Sequence, residues 1–429
     1  MRNRIDPQKE RPDFRPPKPS AFWSFVLWPV HRYVLRRFHG VADVTVNGMD
    51  RLNAIDPADG ILICPNHSYT GDGSVMAEVG RRAPRRFYFM AAQHTFAGHG
   101  GIDGFLLQRL GGFSVDREGC DRSAMRQAND LLTTGKALVI FPEGEIYHTN
   151  ERLTPLREGV GFMALTAQRE LEKQANNRRV WIVPTAIRYT FEGDVLPALE
   201  GAMAELERRV MLKPKPATPL HERIVRYGEV LLTIKEKEKL GRAHDDDGET
   251  LPGRISRLAG AILEKLEQTH FGKSRTEDPL PLRIKQLRRH LLDATCAKTD
   301  SVPVFANAGP AKTGTESVFD AAYDALDEVH LVVQLYSYPG DYITSKPSVE
   351  RMAETIEKFE EDVYDAYAKP KGKRRATVTL GEPIDIKSFT AAGVKARAAS
   401  GELTTRLESA LSSLLHDGSS PRAESQPAR

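Results

Sequence analysis

The pattern of hydrophobic and polar positions changes character along the chain. From Val41 to about Ile234, short apolar runs rich in β-branched residues (Val41–Val46, Ile61–Cys64, Phe87–Ala91, Ala137–Phe141, Val180–Tyr189) alternate with helix-patterned segments such as Asp121–Thr134 and Gly159–Gln174. Strand and helix in alternation predict an α/β domain with a mixed, mostly parallel sheet flanked by helices. In such sheets the chemistry sits where strands end and loops begin. After Glu236 apolar residues recur at helical spacing over Leu251–His270, Leu280–Thr295, Ser317–Gln334 and Ser348–Ala368. One late strand, Ala376–Leu380, leads into Gly381-Glu382-Pro383-Ile384. If the stretch 376–384 closes the sheet, the helices at 250–368 are an insertion; the competing strand is Ile224–Ile234. No long repeat is evident, although Tyr227-Gly228-Glu229 and Leu380-Gly381-Glu382 look alike locally.

These patterns divide the chain as follows. Residues 1–20, rich in Pro, Arg and Lys, read as a disordered basic arm. Residues 21–38, AFWSFVLWPVHRYVLRRF, hold two of the three tryptophans, with Arg32, Arg36 and Arg37 after the apolar half. That composition suits an amphipathic helix in a membrane interface, aromatic rings at headgroup level and arginines on anionic phosphates. A core helix with an outward polar face is the structural alternative, and Pro29 interrupts the pattern. The α/β domain is expected at 40–235, a charged linker at 236–249, a mainly helical region at 250–416 and a disordered tail at 417–429. The linker ends in His244-Asp245-Asp246-Asp247-Gly248, which reads as a solvated loop in preference to a metal site.

Composition narrows the picture. Of 429 residues, 40% are hydrophobic and 28% charged, so a packed core is feasible and general disorder is excluded. No apolar run reaches the roughly 18 residues of an ordinary membrane span. Cys64, Cys120 and Cys296 lie far apart, with neither metal-type spacing nor a disulfide framework. The net charge of +3 does not imply a nucleic-acid partner. Residues 1–40 carry nine Lys/Arg against three Asp/Glu, so positive charge is concentrated at this end. No signal peptide is visible: the basic arm is long and no small-residue cleavage site follows the apolar stretch. The expected location is the cytoplasmic face of a membrane, peripheral or monotopic.

Four blocks carry candidate chemistry. In Ile61-Leu62-Ile63-Cys64-Pro65-Asn66-His67-Ser68-Tyr69-Thr70-Gly71-Asp72 a buried strand runs into Asn-His, and an acid follows. On a regular helix His67 and Asp72 would be about 140° apart and would not meet. Gly71 and Gly73 would let the chain turn sharply and bring Asp72 back to His67. A carboxylate on one imidazole nitrogen fixes the tautomer and leaves the other free as a general base. A strand-end histidine satisfied by a carbonyl is the bland alternative. In Ala137-Leu138-Val139-Ile140-Phe141-Pro142-Glu143-Gly144-Glu145 a second strand ends in an acid and a glycine, placing Glu143 at the same sheet edge. Glu143 could order a basic loop or bind an acceptor group, or simply accept backbone hydrogen bonds in a turn. In Leu110–Glu118 a short strand ends in Arg117, suited to an anion such as phosphate or else to a surface ion pair. In Val180–Ala186, Pro184 suggests an edge strand or bulge.

Taken in order, the four blocks resemble the glycerolipid acyltransferase superfamily, the glycerol-3-phosphate and lysophosphatidic acid acyltransferases. Asn66-His67 with Asp72 is similar to the family's first block, Gly112-Phe113 to Arg117 to its second, Phe141-Pro142-Glu143-Gly144 to its third and Val183-Pro184 to its fourth. Leu156-Arg157-Glu158-Gly159 resembles the segment after the third block. The likeness covers roughly 40–235. It implies that His67 and Asp72 are catalytic and that Asn66, Arg117, Glu143, Gly144 and Arg157 bind substrate. It also implies an acyl-CoA or acyl carrier protein thioester as cosubstrate, with no bound cofactor or metal, and membrane lipids as partners. The implied activity is membrane-associated O-acyl transfer to a hydroxyl of a lysophospholipid. The family's third block often continues with Thr-Arg-Ser, whereas this chain has Glu145-Ile146-Tyr147. An acceptor phosphate would then rely on Arg152 or Arg157. Arg81, Arg82, Arg85 and Arg86 could face lipid phosphates or line a solvated loop. The competing classes are a non-catalytic lipid or acyl-CoA binding module and a thioester hydrolase. The latter lacks a Gly-x-Ser-x-Gly elbow here.

Overall fold

The computed structural model describes residues 14–117, 121–241, 248–296, 315–390 and 396–417. In chain order its elements are α1 (Ala21–Arg37), β1 (Val41–Asn47), α2 (Met49–Asn53), β2 (Gly60–Pro65), α3 (Asp72–Arg82), β3 (Phe87–Ala92), α4 (Ile102–Arg109), β4 (Gly112–Val115), α5 (Arg122–Thr133), β5 (Ala137–Val139), α6 (Gly159–Lys173) and β6 (Val180–Glu192). There follow α7 (Leu196–Arg209), α8 (Leu220–Leu240), α9 (Leu251–Phe271), α10 (Leu280–Cys296), α11 (Thr315–Tyr336), α12 (Tyr342–Ser345), α13 (Val349–Tyr364), β7 (Lys373–Leu380), β8 (Ile384–Asp385) and α14 (Ala396–Asp417). The chain divides into two compact units, described separately below.

The first unit comprises the described residues of Phe14–Val115, Asp121–Gly193 and Gly372–Arg429, and contains the sheet. Strand order is β1-β7-β6-β2-β5-β3-β4, with β8 also on β6. All neighbours run parallel except β6 with β7 and with β8. The sequence of β2 explains its central place. Its side chains alternate between two faces, and both are apolar. Leu62 and Cys64 enter a core with Ala128 and Leu132 of α5, Val160 and Leu171 of α6, and Leu403 and Leu407 of α14. Ile61 and Ile63 enter the opposite core with Leu35 of α1, Leu52 of α2 and Val75, Met76 and Val79 of α3. The result is a sheet between two helical layers.

Several expectations change here. The composition of residues 14–20 suggests part of a disordered arm. Instead Arg15 exchanges main-chain and side-chain hydrogen bonds with Ser114, and Lys18 donates to the Gln108 carbonyl. The segment thereby covers the exposed edge of β4, which would otherwise offer unpaired donors and acceptors. Residues 1–13 and 418–429 lie outside the described residues. Pro184 does not mark an edge: β6 has neighbours on both sides. The strand tolerates it because its antiparallel partner changes there, from β8 at Trp181–Ile182 to β7 at Thr185 onward. The α/β unit ends at Gly193, not 235, and resumes at Gly372, so the intervening chain is inserted in sequence between β6 and β7. Ile224–Ile234, the competing strand, lies inside α8.

The second unit includes Asp194–Lys371 and the short segment Asp116–Cys120. Its core joins α8, α9, α10 and α11 through Leu232, Leu258, Leu263, Leu287, Leu291, Val329 and Val332. Here an internal repeat emerges that the sequence reading missed. In the α7–α8 hairpin Arg223 forks onto Glu207, through Nη2–Oε2 at 2.6 Å and Nε–Oε1 at 3.3 Å. In the α9–α10 hairpin Arg283 forks onto Glu267 through the same atoms, both at 2.9 Å. Both pairs span 16 residues and are buried. Pro219 and Pro279 occupy equivalent places before the second helix, each carbonyl accepting from the third and fourth residues after it. The likeness is carried by a handful of positions, which is why it is faint in the letters alone. By contrast Tyr227-Gly228-Glu229 is helical and Leu380-Gly381-Glu382 ends a strand, so their local similarity reflects no shared structure. Glu236 is not part of a linker: it lies within α8, fully buried, held by Arg254 at 2.6 Å and Arg257 at 2.7 Å. The His244–Asp247 run lies outside the described residues, as does Cys120.

Candidate active site

The C-terminal end of β2 delivers Asn66 and His67 to the edge of the sheet. Asn66 is buried and imitates a strand residue: its side-chain amide donates to the Ile187 carbonyl at 3.1 Å and its oxygen accepts from the Ile187 N–H at 2.7 Å. This clamp extends the β2–β6 pairing one step past the strand and fixes where His67 emerges.

His67 and Asp72 do meet. His67 Nδ1 lies 2.9 Å from Asp72 Oδ2. The turn is not made by glycine torsions, as expected from sequence. Gly71 has an ordinary right-handed backbone and Gly73 sits within α3. The loop His67–Thr70 makes the reversal, and α3 begins at Asp72 itself. Gly71 matters for space, because a Cβ there would meet the His39 and Tyr69 rings at 3.1 Å. Asp72 is fully buried in the first turn of α3, where the helix dipole favours a negative charge. Its Oδ2 also accepts from the Tyr69 N–H at 2.9 Å, and its Oδ1 accepts from the Tyr189 hydroxyl at 2.5 Å. Because a carboxylate only accepts, Nδ1 of His67 carries the proton and Nε2 presents a lone pair. The His67 ring stacks on Phe141 with centroids 4.1 Å apart, and its side chain keeps 18% exposure.

Glu143 stands behind His67. Its Oε1 accepts from the His67 backbone N–H at 2.6 Å, and its Oε2 accepts from the backbone N–H and hydroxyl of Thr154. Burial pushes the Glu143 carboxyl above its usual range, against the pull of these hydrogen bonds. Gly144 has φ +77°, and a Cβ would collide with the Arg157 guanidinium. The glycine therefore lets Arg157 fold over the turn, where its Nη2 lies 3.8 Å from Glu145 and its N–H bonds to the Pro142 carbonyl. Glu145, one residue before the position of the usual arginine, thus sits beside Arg157.

Asn66, His67, Asp72, Glu143, Gly144 and Arg157 all belong to the sheet unit. Arg117 does not. The strand stops at Val115, and the Asp116–Cys120 segment goes with the helical unit, where Asp116 pairs with Arg289 at 3.0 Å. Arg82 and Arg85 are committed to the fold: Arg82 bonds Glu78 and the Val44 carbonyl, and Arg85 bonds the Ile55, Asp56 and Asp59 carbonyls. Arg81 lies over the Trp28 ring at 4.3 Å.

Sequence reasoning missed Tyr69, Asn150, Thr154 and Tyr189. Asn150 repeats the Asn66 device two residues along β6, bonding both the N–H and the carbonyl of Tyr189 at 2.9 Å. The signal for Tyr189 was the end of the Val180–Tyr189 run. Only the parallel register of β2 with β6, Pro65 opposite Thr185, carries it to the first block.

Residues 43–188 match the family model described as Acyltransferase. No curated protein matches the chain. Among solved structures, the crystal structure of the 1-acyl-sn-glycerophosphate (LPA) acyltransferase PlsC from Thermotoga maritima is similar at 19% identity and a TM-score of 0.28. That match covers 38% of this chain and 58% of that one, less than two thirds of its length.

Proposed function

Residues 43–188 match the acyltransferase family, and from that premise we propose that the chain moves a fatty acyl group from acyl-CoA or acyl carrier protein to a hydroxyl of a lysophospholipid. The observation that carries the reading is the His67–Asp72 pair, closed at 2.9 Å with Nε2 left for an acceptor. His67 takes the acceptor hydroxyl proton through Nε2 as the oxygen attacks the thioester carbonyl. The new C–O bond forms, the C–S bond breaks, and the imidazolium returns its proton to the departing thiolate. Asp72 holds the ring and stabilises the transient imidazolium without itself being protonated. No covalent enzyme intermediate is required, and the thioester enters as cosubstrate.

The same proposal sets the reaction at a membrane surface, on its cytoplasmic face. In support, α1 exposes Phe22, Phe25, Val30 and Tyr33, and presents Arg32, Arg36 and Arg37 to solvent with no acidic residue in its first turn. Among the described residues no helix is long and apolar enough to cross a membrane. An interfacial helix fits these features.

The test is acyl transfer by purified protein from labelled acyl-CoA and acyl carrier protein to a panel of lysophospholipids and glycerol 3-phosphate. Transfer to one acceptor, reduced at least about a hundredfold in a folded His67→Ala variant, is the expected result. Substantial activity in that variant would remove His67 as base. Tight acyl-CoA binding with no turnover on any acceptor would instead identify a binding module.

A further inference from the structure

The hydroxyl of Tyr189 has one described partner, Oδ1 of Asp72, at 2.5 Å. The residue is almost fully buried on β6, far in sequence from Asp72, and its backbone is held on both polar atoms by Asn150. Its ring packs edge-on against Tyr69 with centroids 5.3 Å apart, and Tyr69 donates its backbone N–H to the other oxygen of the same carboxylate. Asp72 thus receives donors from three directions: the imidazole, a backbone amide and a phenol. Burial, and then the neighbouring carboxylate, push the Tyr189 hydroxyl well above its ordinary value, so it stays protonated and remains a donor. A buried carboxylate with no arginine or lysine paired to it in the described residues depends on such donors to offset the cost of its burial.

The geometry points to Tyr189 as a positioning residue for the base: by occupying Oδ1 it fixes the Asp72 carboxylate and leaves Oδ2 to the Tyr69 N–H and His67, so that Nε2 is the nitrogen offered to the acceptor. The inference rests on His67 being the base. Removing the hydroxyl makes it easier for the His67–Asp72 dyad, taken as one unit, to hold an extra proton. The dyad is active only without that proton, so activity would disappear at a higher pH as acidity rises. The other titratable or charged groups around the pair are Glu143 beyond β5, Tyr69 in the β2–α3 loop, His39 before β1 and Arg374 on β7. Tyr189→Phe alters none of them.

The experiment is histidine-ring NMR on the full-length chain, labelled with ¹⁵N-histidine, titrated through neutral pH. The ring signal lost in His67→Ala identifies His67 and needs no substrate. Tyr189→Phe keeps the ring and removes one oxygen. The expected result is a titration midpoint for that signal raised by about one pH unit, a tenfold change in the proton equilibrium. Acyl transfer should fall roughly tenfold near neutrality, with the acidic limb of kcat/KM moving in the same direction. Tyr69→Phe, which removes a hydroxyl bonded to the His39 carbonyl at 3.2 Å and not to Asp72, should leave the midpoint where it is. Should Tyr189→Phe fold poorly, Tyr189→Met removes the same donor with a more adaptable side chain. An unmoved midpoint in the folded variant overturns the inference. Full acyl transfer in folded His67→Ala would instead overturn the base itself, which keeps the two failures apart.

Discussion

Both units of this chain bury carboxylates, and the acids beside His67 are neutralised in the opposite way from those that join the helices. In the helical unit Glu207, Glu236 and Glu267 each meet one or two arginine guanidinium groups at 2.6–2.9 Å. Burial pushes Glu267 up, but the Arg283 fork and the Arg275 N–H outweigh it and hold the carboxyl below its ordinary range. In the sheet unit Asp72 and Glu143 are just as enclosed, yet their described partners are backbone amides, hydroxyls and one imidazole. A carboxylate bound to arginine is locked in charge and place, which suits a staple between helices. A carboxylate held by dipoles next to a titratable ring can stabilise a charge that comes and goes, as general-base chemistry requires. The partner, more than the depth of burial, separates a structural acid from a functional one.

The sharpest way to break that contrast is Asp72→Asn. The amide is the same shape and can still accept from Tyr69 or Tyr189, so α3 should keep its place. Its NH₂ group, however, would face Nδ1 of His67 and favour the tautomer protonated on Nε2. The base nitrogen is then blocked. Acyl transfer should fall by about 10³–10⁴, while the thermal midpoint shifts little. A variant that retains a tenth of wild-type turnover would show that Asp72 is as structural as Glu267.

The helical staples predict the reverse: large effects on stability, with the damage reversible by design. Glu207→Leu strands Arg223 as a buried, unpaired charge and should cost about 3–5 kcal/mol in urea unfolding. Adding Arg223→Met removes that charge, and the double variant should recover to within about 1 kcal/mol of wild type. If the double variant is no better than the single one, the pair does more than neutralise itself, and the distinction drawn between the units weakens.

The two units also differed in how legible they were. The sheet was readable because β2 and β5 announce themselves as short apolar runs leading into Pro and β6 as a longer one that carries on past Pro184, and because the residues of the first and third blocks are local: His67 and Asp72 flank one loop, Glu143 and Gly144 share another. What closes the site is not local. Tyr189 reaches Asp72, and Asn66 reaches Ile187, only through the parallel β2–β6 register, which no spacing within a block reveals. Arg117 was legible only in part: its neighbours in sequence suggested a strand end, whereas the strand stops at Val115 and its segment groups with the helical unit. The end of the α/β domain was misplaced because α7 and α8 are apolar enough to read as its continuation. In the helical unit the repeat rests on buried Glu–Arg partners and a helix-starting proline, against a background of ordinary amphipathic pattern.

The smallest predicted effect concerns Glu143, whose carboxyl is raised by burial although hydrogen bonds oppose the shift. An acid raised on folding binds its proton more tightly in the native chain than in the unfolded one. As pH climbs from about 4.5, the ordinary value, the unfolded state releases that proton first. The native state therefore loses stability over the window that ends at the raised folded value, and is level on either side. Glu143→Gln carries no titrating proton and should lack this component. Urea midpoints for the two proteins, measured in small steps upward from pH 4.5, should show wild type declining relative to the variant. A wild type that instead gains on the variant with rising pH would mean that the Thr154 and His67 donors outweigh burial. Glu143 would then be held by its hydrogen bonds as firmly as Glu267 is held by arginine, and dipoles alone would be enough to lock a buried acid.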